Sequence, residues 1–260
     1  MKAIWKGLIA GIVLIVIGVG IMIATLAING WAINTDYTME TFTAKDDNNF
    51  VELDIGASSL KTEFYDGDKI VITYPSGKSI KTDIEEHKGK LIFESKIKWY
   101  THIFNNPKVP ETVVKLPKDK VFDLVVDLGA GTVQLAEGVY GKVIIDVGAG
   151  TLRAQNVECN TLICDISAGS ATIKGVACSS LNCDISAGKL EISSLICPDI
   201  KANVSAGKLS LGVNGEKSEY NIKTSVSAGS CNISNQHGTT DKKINIDCSA
   251  GSVTVNFIDS

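Results

Sequence analysis

The stretch CDISAGSATI, residues 164–173, returns nineteen residues later as CDISAGKLEI, residues 183–192, and this return decides the fold. Working outward, GAG stands at 129–131 and 148–150, and SAG at 167–169, 186–188, 205–207, 227–229 and 249–251. The central alanines are Ala130, Ala149, Ala168, Ala187, Ala206, Ala228 and Ala250, separated by 19, 19, 19, 19, 22 and 22 residues. A fixed period in this range belongs to repeat architectures.

Six residues before each alanine stand Leu124, Val143, Leu162, Leu181, Ile200, Ile222 and Ile244; two before stand Leu128, Val147, Ile166, Ile185, Val204, Val226 and Cys248. Apolar residues alternate with polar ones between these columns, which describes a strand with one buried face. Three and five residues after the alanine, pairs such as Val133 with Leu135 and Leu190 with Ile192 mark a second short strand. Such a coil cannot bury its inward face alone, so successive coils must stack at about 4.8 Å. The expected fold is all-β, a parallel β-solenoid (β-helix) of 19- to 22-residue coils preceded by one transmembrane α-helix. From Ala130 to Ala250 the stack would run about 30 Å.

The small triplet is expected to be a structural corner, with glycine supplying backbone conformations closed to other residues. Serines preceding the later alanines could bond turn amides or one another along the stack. A weaker early copy, VELDIGASSLKTEF at 51–64, precedes an interruption over residues 66–120.

At 260 residues and 44% hydrophobic content the chain can bury a sizeable core. A net charge of -4 and a single arginine, Arg153, leave no electrostatic footprint for nucleic acid. The uncharged run from Gly7 to Ile28 holds 22 residues, enough to cross a membrane as a helix. Lys2 and Lys6 precede it and Asp36 and Glu40 follow, so the positive-inside rule leaves the N-terminus in the cytoplasm and the remainder outside the cell membrane. Trp5 and Trp31 suit the two interfaces, and Gly7 and Gly11 have helix-pairing spacing. The expected organisation is therefore a cytoplasmic 1–6, a membrane helix 7–28, a juxtamembrane linker 29–48, irregular first coils or an N-terminal cap 49–120, and regular coils 121–260.

One polar column runs three residues before the alanine: Asp54 in the early copy, then Asp127, Asp146, Asp165, Asp184, Asn203, Ser225 and Asp247. Carboxylates one strand apart repel by about 1 kcal/mol even in water, so the ladder needs solvent, protonation, hydrogen bonds or a cation. Asp127, Asp146, Asp165 and Asp184 are candidate Ca²⁺ ligands on that ground. The favoured reading has these aspartates bonding backbone or serine groups beside the corner, with no cofactor, since the chain has neither an EF-hand loop nor a glycine-rich calcium repeat.

Five of the seven cysteines also fall in columns, Cys159 with Cys178 and Cys197, and Cys164 with Cys183. A linear column does not converge tetrahedrally on zinc, and parallel Cβ directions with an odd count argue against a disulfide framework. They read as small core residues, although free thiols sit more naturally inside a cell than outside it. His87, His102 and His237 are scattered, and no nucleophile elbow or dinucleotide fingerprint accompanies the triplets, so no catalytic residue is expected. The aromatic cluster Trp99, Tyr100, His102 and Phe104 reads as a cap over the first coil.

The membrane run, the lead-in ETVVKLPKDKVFDLVVDLGAGTVQL and the recurring I-x-x-x-D-I-S-A-G-x-L-x-I together resemble the bacterial "putative adhesin" domain-of-unknown-function family, over roughly residues 45–260. The resemblance implies the repeat fold and a place at the cell surface, for some relatives in envelope stress, and no catalytic residue. The leading expectation is a non-catalytic, extracytoplasmic binding, adhesion-like or envelope scaffold module, contacting cell-wall polymer or envelope proteins. Two alternatives are a self-assembling cytoskeletal scaffold similar to the bactofilins and a β-helix carbohydrate-active enzyme using the aspartate column.

Overall fold

Residues 157–175 show how the repeat becomes a coil. The strand Val157–Ile166 bends at Asn160, where pairing with its neighbour lapses, and Ser170–Ile173 follows the SAG corner. The runs 157–159, 161–166 and 170–173 thus form three sides of one turn. Leu162, Cys164, Ile166, Ala171 and Ile173 point inward and are buried. Each buried Leu or Ile stabilises the coil by about 2 kcal/mol. The computed structural model describes residues 37–45, 47–97 and 109–258.

Adjacent coils pair in parallel with the columns in register, so that each apolar residue meets its counterpart one coil away. Val143 lies against Leu162, Leu162 against Leu181, and Leu181 against Ile200. The ladder continues through the corner. The N–H groups of Ala149, Ala168 and Ala187 donate to the carbonyls of Gly129, Gly148 and Ser167 one coil back.

The reason for glycine at the corner differs from the expectation. No glycine of the triplets has positive φ; among the described residues only Gly89 and Gly215 do. The constraint is close approach instead: a Cβ on Gly188 would stand 2.5 Å from the Gly169 carbonyl oxygen and 2.5 Å from the Ile166 side chain. Stacked backbones meet there with no room for a methyl group. Ser167, Ser186 and Ser205 are exposed, and their hydroxyls make no hydrogen bond among the described residues, so the expected serine network is absent at these corners.

At the N-terminal end, Phe50–Ile55 and Ser59–Tyr65 stack on Phe122–Leu128 and Thr132–Leu135. Lys90–Ile97 and Thr112–Pro117 form a further parallel level outside them. Antiparallel strands then close the edge: Ile80–His87 on Lys90–Ile97, Val71–Ser76 on Thr112–Pro117, and Thr38–Thr43 on Val71–Ser76. Thr38–Thr43 falls inside the segment expected to be a polar linker. Its β-branched threonines suit a strand, and Phe42 packs against the core.

The C-terminal end departs from chain order. Asp199–Val204 and Lys208–Asn214 pair with Lys242–Cys248 and Ser252–Ile258, and these in turn pair with Tyr220–Val226 and Ser230–Cys231. The last coil in sequence is therefore sandwiched, and the Ala228 coil is outermost. Residues 232–241 fold back over that outer edge. Ile222 and Gln236 exchange backbone hydrogen bonds at 3.0 Å, and the Thr224 N–H donates to Asn235 Oδ1 at 2.6 Å.

Two tyrosines anchor the core. The Tyr140 hydroxyl donates to the Ala136 carbonyl at 2.8 Å, and that of Tyr220 to the Cys197 carbonyl at 3.0 Å. Burial pushes the pKa of both hydroxyls up to about 12, so they remain protonated donors. Among the described residues no helix is long and apolar enough to cross a membrane. The run from Gly7 to Ile28, Trp5, Trp31 and the cluster Trp99, Tyr100, His102 and Phe104 lie outside the described residues.

Candidate functional site

The aspartate column becomes a ladder because every member occupies an outward position on a strand paired in register. Asp127 lies against Asp146, Asp146 against Asp165, and Asp165 against Asp184. Asp54 lies beside Asp127, and Glu94 lies beside Asp54. The ladder therefore runs Glu94, Asp54, Asp127, Asp146, Asp165, Asp184 without a break. Asn203 follows, then Asp247, and Ser225 ends it, because the C-terminal coils exchange places.

Glu94 escaped the sequence reading since its strand carries no small triplet. Its signal was the alternation in KLIFES, which puts Glu94 on the same face as Asp54 once the two strands pair.

Partners are concentrated at the ladder's ends. Lys96 Nζ lies 2.5 Å from Glu94 Oε1 and 3.3 Å from Asp54 Oδ2. The Lys96 ammonium holds Glu94 below its ordinary carboxylate value. Asp184 accepts a 2.6 Å hydrogen bond from Asn203 Nδ2. Asp127, Asp146 and Asp165 have no hydrogen-bond or ion-pair partner among the described residues, so the expected bonds to corner groups are absent there.

Asp127 is raised above its ordinary value, first by desolvation and then by the charges of Asp54 and Asp146, with Lys96 opposing. Asp165 is raised by desolvation and then by Asp184 and Asp146. The centre of the ladder thus carries uncompensated negative charge in a straight row. Its members stand in single file, and no three His, Cys, Asp or Glu groups converge on a possible metal position among the described residues. Chemically, this row can accept hydrogen bonds and ion pairs from a partner that presents cations at intervals along an extended surface.

A second lateral feature lies where Lys61, Glu63, Glu111, Gln134, Glu137 and Arg153 line an open groove of about 540 Å³. Lys61 and Glu63 pair at 2.7 Å, whereas Arg153 has no acidic partner among the described residues. The remaining side presents Val139 and Ile196 in one outward column, separated by Glu158 and Ala177. His87 sits on the outer N-terminal strand and His237 in the loop over the opposite end, so the structure does not bring them together.

The Toastrack DUF4097 family model matches residues 50–260. Two solved structures from Parabacteroides distasonis have a similar fold, one described as a "putative adhesin" and the other as a "putative lipid binding protein". The first aligns at TM-score 0.51 and 18% identity over 85% of this chain and 98% of its own. The second aligns at TM-score 0.51 and 18% identity over 84% of this chain and 96% of its own. Identities this low establish likeness of fold alone. No curated protein matches the chain.

Proposed function

The chain belongs to the Toastrack DUF4097 family, and from that premise we propose that it is a non-catalytic binding module, anchored in the cell membrane by residues 7–28, with its solenoid outside the cytoplasm. The single observation that carries this reading is the unbroken row Glu94, Asp54, Asp127, Asp146, Asp165 and Asp184. A row of like charges at one strand spacing repels itself and lowers stability, which makes sense where a partner neutralises it. Cationic groups on cell-wall polymer or envelope proteins meet that requirement. Contact spread along a side needs neither a deep pocket nor a cofactor.

The lysines ahead of the apolar run support the outward topology. Head-to-tail assembly into a cytoskeletal scaffold has less support, because folded-back segments cover the outer level at each end. The enzyme reading has less support as well, since the candidate aspartates stand on uniform strands without a distinguishing loop.

The test uses full-length protein with a C-terminal tag in intact cells. External protease should remove the tag while a cytoplasmic control survives, and isolated envelopes should retain wild type better than the combined Asp127→Asn, Asp146→Asn, Asp165→Asn and Asp184→Asn variant. A tag protected until lysis would overturn the topology. Equal retention of the two proteins would overturn the role of the acidic row.

A further inference from the structure

From the hydrogen bonds at the outermost coil, we infer that the corner at Ala228 is a docking site for an extended, small-residue segment of a partner polypeptide, which adds one more level to the stack through its backbone. The inner corners define what this site lacks. At each of them three carbonyls accept N–H groups from the coil stacked outside: two residues before the central alanine, one before it and one after it. Leu128, Gly129 and Gly131 accept from Gly148, Ala149 and Thr151, and Val204, Ser205 and Gly207 accept from Ser249, Ala250 and Ser252. The Ala228 coil donates in the same way, from Ser227, Ala228 and Ser230 to Cys248, Ser249 and Gly251. Its own corresponding carbonyls, on Val226, Ser227 and Gly229, have no donor among the described residues.

The core is open at the same place. Leu128, Val147, Ile166, Ile185, Val204 and Cys248 are 0–2% exposed, whereas Val226, which holds their position in the outermost coil, is 42% exposed. The segment folded back over this edge bonds Ile222 and Thr224, and among the described residues it makes no backbone hydrogen bond to residues 225–231. From Thr224 to Asn232 the chain reads TSVSAGSCN, without a charge or a proline. Sheet edges ordinarily carry such residues against unwanted pairing, as the outer N-terminal strand Ile80–His87 does with Lys81, Asp83, Glu85 and Glu86. The aspartate row has also given way to Ser225 here, so no carboxylate of that row confronts an incoming strand.

Hydrogen-bond polarity and close approach specify the occupant. The corner offers acceptors, so the occupant supplies backbone N–H groups. Its residue over Gly229 must be glycine, because a Cβ at this point of the stack meets the carbonyl beneath it: on Gly229 it would stand 2.5 Å from the Gly251 oxygen, and on Gly251 2.5 Å from the Gly207 oxygen. An apolar residue three places ahead of that glycine covers Val226, as each inner coil does for the one before it. A second copy of this chain does not fit. Two such corners meeting face to face would set acceptors against acceptors, and the copy's opposite end is overlaid by antiparallel strands. The occupant is therefore a segment of another polypeptide with the pattern apolar, small, small, glycine. This site is separate from the acidic row and does not depend on it.

The probe is a synthetic peptide with the sequence of residues 203–213, NVSAGKLSLGV, which holds one corner and no cysteine. Labelled with fluorescein, it is titrated with folded full-length protein in detergent micelles and followed by anisotropy. Saturable binding is expected. Gly207→Val in the peptide and Val226→Lys in the protein should each weaken it by about tenfold or more, the second without lowering the melting temperature, since Val226 is already exposed. In the bound peptide, amide exchange should slow at Ser205, Ala206 and Lys208, the donors of this corner in the intact stack. The combined aspartate-to-asparagine variant of the acidic row should bind as wild type does. Absence of saturable binding would overturn the inference, as would equal binding of the two peptides or undiminished binding by Val226→Lys. Loss of binding in the asparagine variant would also overturn it, by placing the peptide on the acidic row through Lys208.

Discussion

The two ends of the solenoid solve one problem by different means. Each must cover backbone donors and acceptors that a parallel stack leaves unpaired. At the N-terminal end the chain changes direction, and the antiparallel strands Ile80–His87, Val71–Ser76 and Thr38–Thr43 lie along the outer level. At the C-terminal end it keeps the parallel direction and changes the order, slipping Lys242–Ile258 between two coils made earlier and closing with the turn around Gln236. The first end is a lid added from outside, the second an interlock. Damage should consequently stay local at the first and spread at the second.

The severest way to break this contrast is to stop the chain before Lys242. Removing the inserted coil strips the Ala228 coil of the one coil it pairs with among the described residues, so hydrogen exchange should show Tyr220–Val226 losing protection along with the edge Asp199–Val204. Continued protection of Tyr220–Val226 would mean that it re-docks directly on Asp199–Val204 and that the interlock is dispensable.

Next in size is Gly188→Ala, in the uniform middle. Its methyl group would meet the Gly169 carbonyl and Ile166, with an expected loss of about 2–4 kcal/mol in denaturant unfolding. Gly148→Ser should cost far less, because serine already holds the corresponding place in later coils. Equal losses would show that corner glycines matter for conformation rather than for close approach.

Smaller again is Tyr220→Phe, which leaves the Cys197 carbonyl without its donor at the interlocked end. The expected cost is about 1 kcal/mol, read in the same unfolding experiment.

The smallest effect has the opposite sign. Asp127 and Asp165 have folded-state values raised above the unfolded one, so the native state holds protons more tightly there. Their contribution to stability falls as pH rises from the unfolded value near 3.8 through the raised folded values. Asp127→Asn should remove its own share of this dependence and raise the melting temperature at neutral pH by about 1–2 °C. At lower pH the lysine-bound carboxylates act in the other direction: Glu94, Glu191 and Glu219 are depressed, and their contribution is lost as pH falls through those lowered values. A neutral-pH melting temperature lowered by Asp127→Asn would contradict a repulsive ladder.

Much of this architecture was legible in the residue order. The apolar columns, the parallel register and the aspartate row follow from the spacing of the alanines, because a period-two pattern fixes which face each residue takes. Which coil lies beside which was not legible at the C-terminal end. All coils offer the same columns, so Lys242–Cys248 fits Asp199–Val204 as well as it fits Tyr220–Val226; tertiary choices around Tyr220, Asn235 and Gln236 decide between them. The change of period from 19 to 22 at Ala206 was the visible trace. Of the candidate site, Asp127, Asp146, Asp165 and Asp184 were placed correctly relative to one another, while Glu94 and Lys96 became visible only when Lys90–Ile97 proved to be a level of the stack.

The interlock also bears on how such a molecule changes length over generations. A new coil appended after Ile258 would meet a level already occupied, and one added outside Lys90–Ile97 and Thr112–Pro117 would meet strands running the other way. Copying a nineteen-residue unit leaves both terminations intact only between Ala130 and Ala206, where chain order and stack order agree. There the two near-identical decamers stand side by side, as the product of such a copying event would.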